Sequence, residues 1–229
     1  MEQKKQMISK LNAILTELKS HSPFTLFGAS TGILCMLLLK NLSHDTTRTI
    51  FYIFHPGHVL LSAIVTTAMF KIYEKRKKFI YIFLIGFIGS IGIGTLSDSI
   101  IPYIGEATLG MHVELHDHEH GQEHEGFAEK AHIGFIERWY LVIPAAVIGV
   151  IIGFLRPRTK ISHAGHVLLS TWASSFHILM AMGGKLSVME AVGSFGFLFL
   201  AVWLPCCFSD IIFPLLFVKS GTMSLHHHH

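Results

Sequence analysis

Residues 55–62 read His-Pro-Gly-His-Val-Leu-Leu-Ser, and residues 163–170 read His-Ala-Gly-His-Val-Leu-Leu-Ser, so seven of the eight positions are identical. Each copy is followed further along the chain by a second shared motif, Ser-Asp-x-x-x-Pro, at residues 97–102 and 209–214. Two motifs that recur in the same order indicate an internal duplication. Each half of the chain therefore offers the same polar groups, two histidines and one aspartate.

The composition is typical of a membrane protein with several spans. Of the 229 residues, 51% are hydrophobic and 14% are charged, and the charged residues form short blocks between long apolar runs. The net charge of +3 implies no nucleic-acid partner, because the basic residues lie at the ends of apolar segments, where membrane topology explains them. We therefore predict an all-α polytopic protein embedded in a lipid bilayer, with homo-oligomerisation left open. Residues 226–229 resemble a purification tag and are set aside.

Six apolar segments have the lengths of membrane helices. The third and sixth contain glycines and prolines around the Ser-Asp motif, a density that favours broken helices lining a cavity. The predicted spans are residues 24–39, 50–70, 79–104, 140–155, 162–182 and 191–218.

The distribution of lysine and arginine predicts the orientation of these spans. With a cytoplasmic N-terminus, thirteen of these residues lie inside and five outside, which favours two cytoplasmic termini, in a plasma membrane such as the bacterial inner membrane. Because each repeat has three spans, the second repeat enters the membrane in the opposite sense, and such inverted repeats are typical of transporters. The predicted units are an amphipathic N-terminal helix 1–22, a first repeat 23–110, an extracytoplasmic loop 111–137, a second repeat 138–220 and a tail 221–229.

The duplicated motifs predict two equivalent sets of metal ligands. Histidines three residues apart project from the same face of a helix, and a carboxylate within a span is costly unless it has a function. Imidazole together with carboxylate suits divalent transition metals such as zinc, iron or manganese. The predicted ligands are His55, His58 and Asp98 in the first repeat and His163, His166 and Asp210 in the second; the further candidates are Ser62, Ser170, His177, Cys206 and Cys207.

The location of the two sets remains open at this point. The predicted topology assigns the first set to the outer side of the membrane and the second to the cytoplasmic side. Broken helices that converge would instead form one central binuclear site.

A tract rich in histidine and acidic residues lies between the two repeats. In composition it resembles the histidine-rich loops of zinc transporters of the ZIP and cation-diffusion-facilitator classes, and that resemblance implies loose metal capture. The alternative is a solvated acidic linker that responds to pH. The histidines concerned are His112, His116, His118, His120, His124 and His132.

Three functions are compatible with these residues. The first is a transporter of divalent transition metal ions, in which the repeated ligands bind and release the ion. The second is a membrane-embedded metal-dependent hydrolase acting on a lipid or other apolar substrate, in which an open coordination position activates water. The third is a b-type haem protein with histidine axial ligands.

Overall fold

The chain folds into a bundle of helices. The computed structural model describes residues 2–73, 78–109, 133–157, 160–182 and 187–208, and within these ranges it contains helices and no strand. The elements are α1 (Glu2–Leu39), α2 (His44–Tyr73), α3 (Phe79–Thr95), a π-helical segment (Leu96–Ile100), α4 (Ile101–Leu109), α5 (Gly134–Glu137), α6 (Trp139–Leu155), α7 (Lys160–Ala181) and α8 (Val188–Cys207).

Four stretches of helix in the described ranges are long and apolar enough to cross a membrane, in agreement with an integral membrane protein of the all-α class. They are Ser22–Leu39, His44–Ile72, Phe79–Leu109 and Met189–Cys206. The apolar helix α6 is shorter. The segment predicted as the fifth span forms helix α7, which does not belong to this group because its serines, threonine and histidines lower its hydropathy.

Helices α2 and α7 form the centre of the bundle. They pack against each other, α3 and α6 flank α2, and α1 and α8 flank α7. The histidines and hydroxyl side chains of both central helices are largely buried, whereas the outer helices expose large apolar side chains such as Leu38, Ile88 and Leu155. An apolar exterior around a polar interior suits a protein surrounded by lipid rather than by water.

Small residues allow the helices to approach closely. A Cβ atom on Gly28 of α1 would lie 2.7 Å from Thr171 Oγ1 of α7, and one on Gly149 of α6 would lie 2.7 Å from the Cβ of Ala63 and would also meet the Leu60 carbonyl of α2. In lipid, where water does not drive helices together, close packing of this kind is a main source of association.

The N-terminal helix differs from the sequence prediction. We expected a separate amphipathic helix over residues 1–22, but α1 is continuous from Glu2 to Leu39 and contains Pro23. Proline weakens a helix by removing one hydrogen bond. Residues 20–22 contain no glycine that would end the helix, so the first predicted span extends the N-terminal segment without interruption.

The third span is interrupted at the predicted position, but it is not broken. Residues Leu96–Ile100, which include the Ser-Asp motif, form the π-helical segment, and helix continues on both sides of it. A single π turn inserts one extra residue and is often found at functional sites. Here Ser97 and Asp98 are fully buried. In the sixth span Phe208 is also π-helical, and the predicted interruption at residue 209 and beyond lies outside the described residues.

Candidate functional site

The carboxylate of Asp98 is the centre of a buried polar cluster. Its Oδ2 atom lies 3.0 Å from His55 Nδ1 and 2.7 Å from His58 Nδ1, and the three side chains are completely buried. The spacing of the two histidines on α2 directs both imidazoles to one side of the helix. An ionised carboxylate only accepts hydrogen bonds, so each imidazole donates its Nδ1–H to Asp98.

Serine hydroxyls occupy the other oxygen of the same carboxylate. Ser97 Oγ and Ser170 Oγ each donate to Asp98 Oδ1 at 2.8 Å. Ser174 Oγ donates to the Ser97 carbonyl at 2.9 Å, so α7 is attached to the π-helical segment at two points. Asp98 thus accepts four hydrogen bonds from three elements, which stabilises the buried charge and fixes both imidazoles.

The tautomers that follow from this network leave two nitrogen lone pairs available. In a neutral imidazole that donates its Nδ1–H, the Nε2 atom is an acceptor. Both Nε2 atoms are buried and have no hydrogen-bond partner in the described part of the chain. A carboxylate that holds the far side of an imidazole is the common outer-shell arrangement around metal-ligating histidines, because it orients the ring and raises its basicity.

A second group of potential ligands adjoins this cluster. The rings of His58 and His166 are nearly parallel, with centroids 5.7 Å apart. One ring nitrogen of each histidine and the sulfur of Cys206 all lie within 4.8 Å of one another, and the three side chains are buried. Helices α2, α7 and α8 therefore bring nitrogen and sulfur donors from both halves of the chain to one place.

His55 is enclosed by small and aromatic neighbours. A Cβ atom on Gly134, the first residue of α5, would lie 2.5 Å from His55 Cδ2 and 2.8 Å from its Nε2. On another side, the ring of Phe51 is nearly parallel to the imidazole, with a centroid separation of 5.4 Å. Only glycine at position 134 permits α5 to cover the imidazole this closely.

Polar contacts hold α5 over the N-terminal part of α2. Glu137 Oε2 accepts a hydrogen bond from Arg48 at 2.8 Å and another from the Tyr52 hydroxyl. The guanidinium group of Arg138 lies 5.1 Å from the centroid of the Tyr52 ring. These charge-assisted contacts keep the short α5 helix in place.

A separate buried pair lies beyond Phe51. His177 Nδ1 is 2.7 Å from Glu106 Oε1, and both side chains are almost completely buried. The Phe51 ring packs edge-on against His177, with centroids 5.5 Å apart. His177, a further candidate from the sequence, is therefore paired with a carboxylate, and Phe51 lies between this pair and His55.

The structure assigns definite contacts to some of the predicted ligands. Asp98, a predicted metal ligand, accepts hydrogen bonds from the two imidazoles. The hydroxyl of Ser170 bonds to Asp98, and the buried hydroxyl of Ser62 has no hydrogen-bond partner within the described ranges. Four groups of predicted ligands lie outside what the structure describes: the side chains of His163 and Cys207, the whole of Asp210, and the interrepeat histidines at positions 112–132.

Three residues with buried polar contacts in this region were not predicted from the sequence. Ser97 lay in the repeated motif but was not considered as a donor, and Ser174 lay on the same face of α7 as Ser170, four residues away. Glu106 follows the third predicted span, a position that predicts a location at the membrane–water interface, but its side chain is only 2% exposed. An ionisable residue beside a long apolar run is itself a signal of function in a membrane protein.

Comparison of the chain with protein-family models, curated proteins and solved structures finds no match in any of the three. The function is therefore inferred from the chemistry of the site alone.

Proposed function

We propose that this protein is a membrane transporter of divalent transition metal ions. The observation that carries the proposal is the Asp98 cluster, in which a buried carboxylate holds His55 and His58 by Nδ1, while both Nε2 atoms have no hydrogen-bond partner among the residues that the structure describes. Buried imidazole nitrogens without a hydrogen bond are costly, and binding a metal ion would satisfy them.

An inverted pair of three-helix repeats is part of the proposal, and two observations support it. The first concerns packing. Gly28 of α1 contacts Thr171, which follows the final serine of the second motif, and Gly149 of α6 contacts Ala63, which follows the final serine of the first motif. Equivalent helices of the two repeats thus contact equivalent positions of the two central helices.

The second observation concerns the backbone before each Ser-Asp motif. The N–H of Leu96 donates to the carbonyls four and three residues earlier, and the N–H of Phe208 does the same. Both residues are π-helical and both immediately precede the Ser-Asp motif. By the same duplication, Asp210 would accept hydrogen bonds from the second histidine pair and from Ser62, as Asp98 accepts them from the first histidine pair and from Ser170.

The proposal includes a path through one shared centre. The contact between His58 and His166 favours a single centre with ligands from both repeats over two separate sites. With cytoplasmic termini, the histidine-rich residues 112–132 collect ions outside, and His55, beneath α5, is the first ligand of the centre. His163 and Asp210 then complete the cytoplasmic half of the path.

Ion flux into proteoliposomes tests this function. Purified protein in vesicles loaded with a fluorescent zinc indicator is expected to admit zinc, and His58→Gln is expected to slow the entry at least about tenfold, because it removes the imidazole shared by both ligand groups. His44→Gln, a partly exposed histidine at the start of the same helix, is the matched control and is expected to transport normally.

Size-exclusion profiles and thermal unfolding of both variants separate a loss of transport from a loss of folding. If the folded wild-type protein admits zinc, iron and manganese no faster than empty vesicles do, the proposed function is wrong. Equal flux in the wild type and in folded His58→Gln would likewise remove the central site from the mechanism.

A further inference from the structure

The two halves of the chain differ chemically at one position in the centre. Gly94 and Cys206 each lie three residues before the Ser-Asp motif. Gly94 adjoins Val59, which follows the second histidine of the first motif, and Cys206 belongs to one apolar cluster with the equivalent Val167. A Cβ atom on Gly94 would lie 2.8 Å from Val59 Cγ2, so the first half has no room for a side chain there. The second half carries a thiol at the equivalent position.

That thiol lies within reach of two imidazoles. Cys206 Sγ and one ring nitrogen each of His58 and His166 are mutually within 4.8 Å, and Cys206 is only 1% exposed. Ligand atoms around a tetrahedral zinc ion are ~3.5 Å apart, as follows from zinc–nitrogen and zinc–sulfur bonds of ~2.0–2.3 Å. At no more than 4.8 Å from one another, the three ligand atoms are close to that separation.

The imidazole of His58 is held in a fixed orientation by Asp98. His58 donates its Nδ1–H to Asp98, and its buried Nε2 has no hydrogen-bond partner within the described ranges. A ring held in this way presents a lone pair and loses little conformational entropy when a metal binds.

We propose that Cys206 is a metal ligand and that His58, His166 and the Cys206 thiolate together select thiophilic divalent ions, zinc and its congener cadmium, over manganese and other oxygen-preferring ions. This inference rests on the proposed function and specifies the ions transported. Binding forms a metal–sulfur bond and releases the thiol proton to solvent. A thiolate is a soft ligand, whereas manganese prefers carboxylate, carbonyl and water.

Cobalt spectroscopy of the purified, full-length protein tests the ligand directly. Cobalt(II) substitutes for zinc, and a thiolate ligand produces a charge-transfer absorption in the near ultraviolet that imidazole and carboxylate ligands do not produce. Any cobalt bound by the interrepeat or C-terminal histidines would not contribute to this band, because those side chains contain no sulfur. The chain has three cysteines, so the sulfur responsible can be identified by single substitutions.

The band is expected in the wild type and in Cys35→Ser, the matched control on α1, and it is expected to disappear in Cys206→Ser. Cys207→Ser is expected to retain it, because the sulfur that lies beside His58 and His166 is that of Cys206. A wild-type protein that binds cobalt without the band would overturn the inference, and so would a band of undiminished intensity in Cys206→Ser.

Vesicle flux separates failure of this inference from failure of the proposed function. The wild type is expected to admit zinc and cadmium at least about tenfold faster than manganese, and Cys206→Ser is expected to reduce that preference by about tenfold or more, since even outer-shell changes cost ~10–100-fold in affinity. Zinc flux without the cobalt band would refute the sulfur ligand and leave transport intact. The cobalt band without flux of any ion would refute transport and leave the ligand intact.

Discussion

Replacing Asp98 by asparagine tests whether the carboxylate acts through the two imidazoles. The amide oxygen can still accept from His55 and His58, and its NH₂ group can donate to the hydroxyls of Ser97 and Ser170 if they reorient. The substitution therefore keeps the shape and most hydrogen bonds of the cluster and removes its negative charge. A metal ion on Nε2 makes the Nδ1–H group a stronger donor, so the lost charge is felt mainly in the metal-bound state.

The size of the effect follows from the two bonds in the structure, 3.0 and 2.7 Å long. A hydrogen bond to a charged group contributes ~1.5–3 kcal/mol and a neutral one ~0.5–1.5 kcal/mol, so each bond loses ~1 kcal/mol. If one imidazole binds the ion, affinity falls by about fivefold; if both bind, the loss is ~2 kcal/mol, or about thirtyfold. Competition for zinc against a chromogenic chelator, on detergent-purified protein without the C-terminal histidines, measures this change.

Asp45→Asn is the matched control, because Asp45 lies on the same helix as His55 and His58 and its side chain is fully exposed. This substitution is expected to leave zinc affinity unchanged. Thermal unfolding checks that the Asp98→Asn protein remains folded. Wild-type zinc affinity in folded Asp98→Asn would refute the outer-shell role. A loss larger than about a thousandfold would also refute it, because so large an effect indicates a directly coordinating carboxylate.

Substitutions at three further sites, two of them with a comparison variant, test the surrounding structure. Gly134→Ala places a methyl group 2.5 Å from the ring of His55 and is expected to lower stability by ~1–3 kcal/mol and to alter zinc affinity, as measured by unfolding and chelator competition. Gly153→Ala, whose Cβ would lie 2.5 Å from a backbone oxygen of α2, is expected to lower the melting temperature, whereas Gly92→Ala meets nothing within 4 Å and is expected to leave it equal or higher; equal melting of the two variants would contradict the close packing of α6 on α2. Glu106→Ala leaves the buried imidazole of His177 without its carboxylate and is expected to lower the free energy of unfolding by ~3–5 kcal/mol. Glu106→Gln is expected to lower it less, because it keeps a hydrogen-bond acceptor. If both variants denature like the wild type, the pair is unimportant for folding.

Several features of the fold were readable from residue order alone. Apolar runs of membrane-spanning length predicted an all-helical integral membrane protein, because a lipid environment requires every backbone polar group to be paired within its own helix. Glycine and proline near Ser97 predicted an interruption of the third span, and the π-helical segment lies there. The form of the interruption was not predictable, since glycine and proline indicate an irregular helix but do not specify whether it breaks or continues through a π turn.

The repeated motifs marked His55, His58, Asp98 and His166 as candidate site residues, because ionisable side chains are costly to bury in apolar spans and their recurrence indicates a function. Which groups these side chains contact was decided only by the tertiary structure. Asp98 accepts hydrogen bonds from the Nδ1–H groups of two imidazoles, and Cys206, a further candidate from the sequence, lies beside His58 and His166. Spacing along one helix determines which side chains share a face, but the atom that each side chain meets depends on how separate helices cross, and that information is distributed over contacts far apart in the chain.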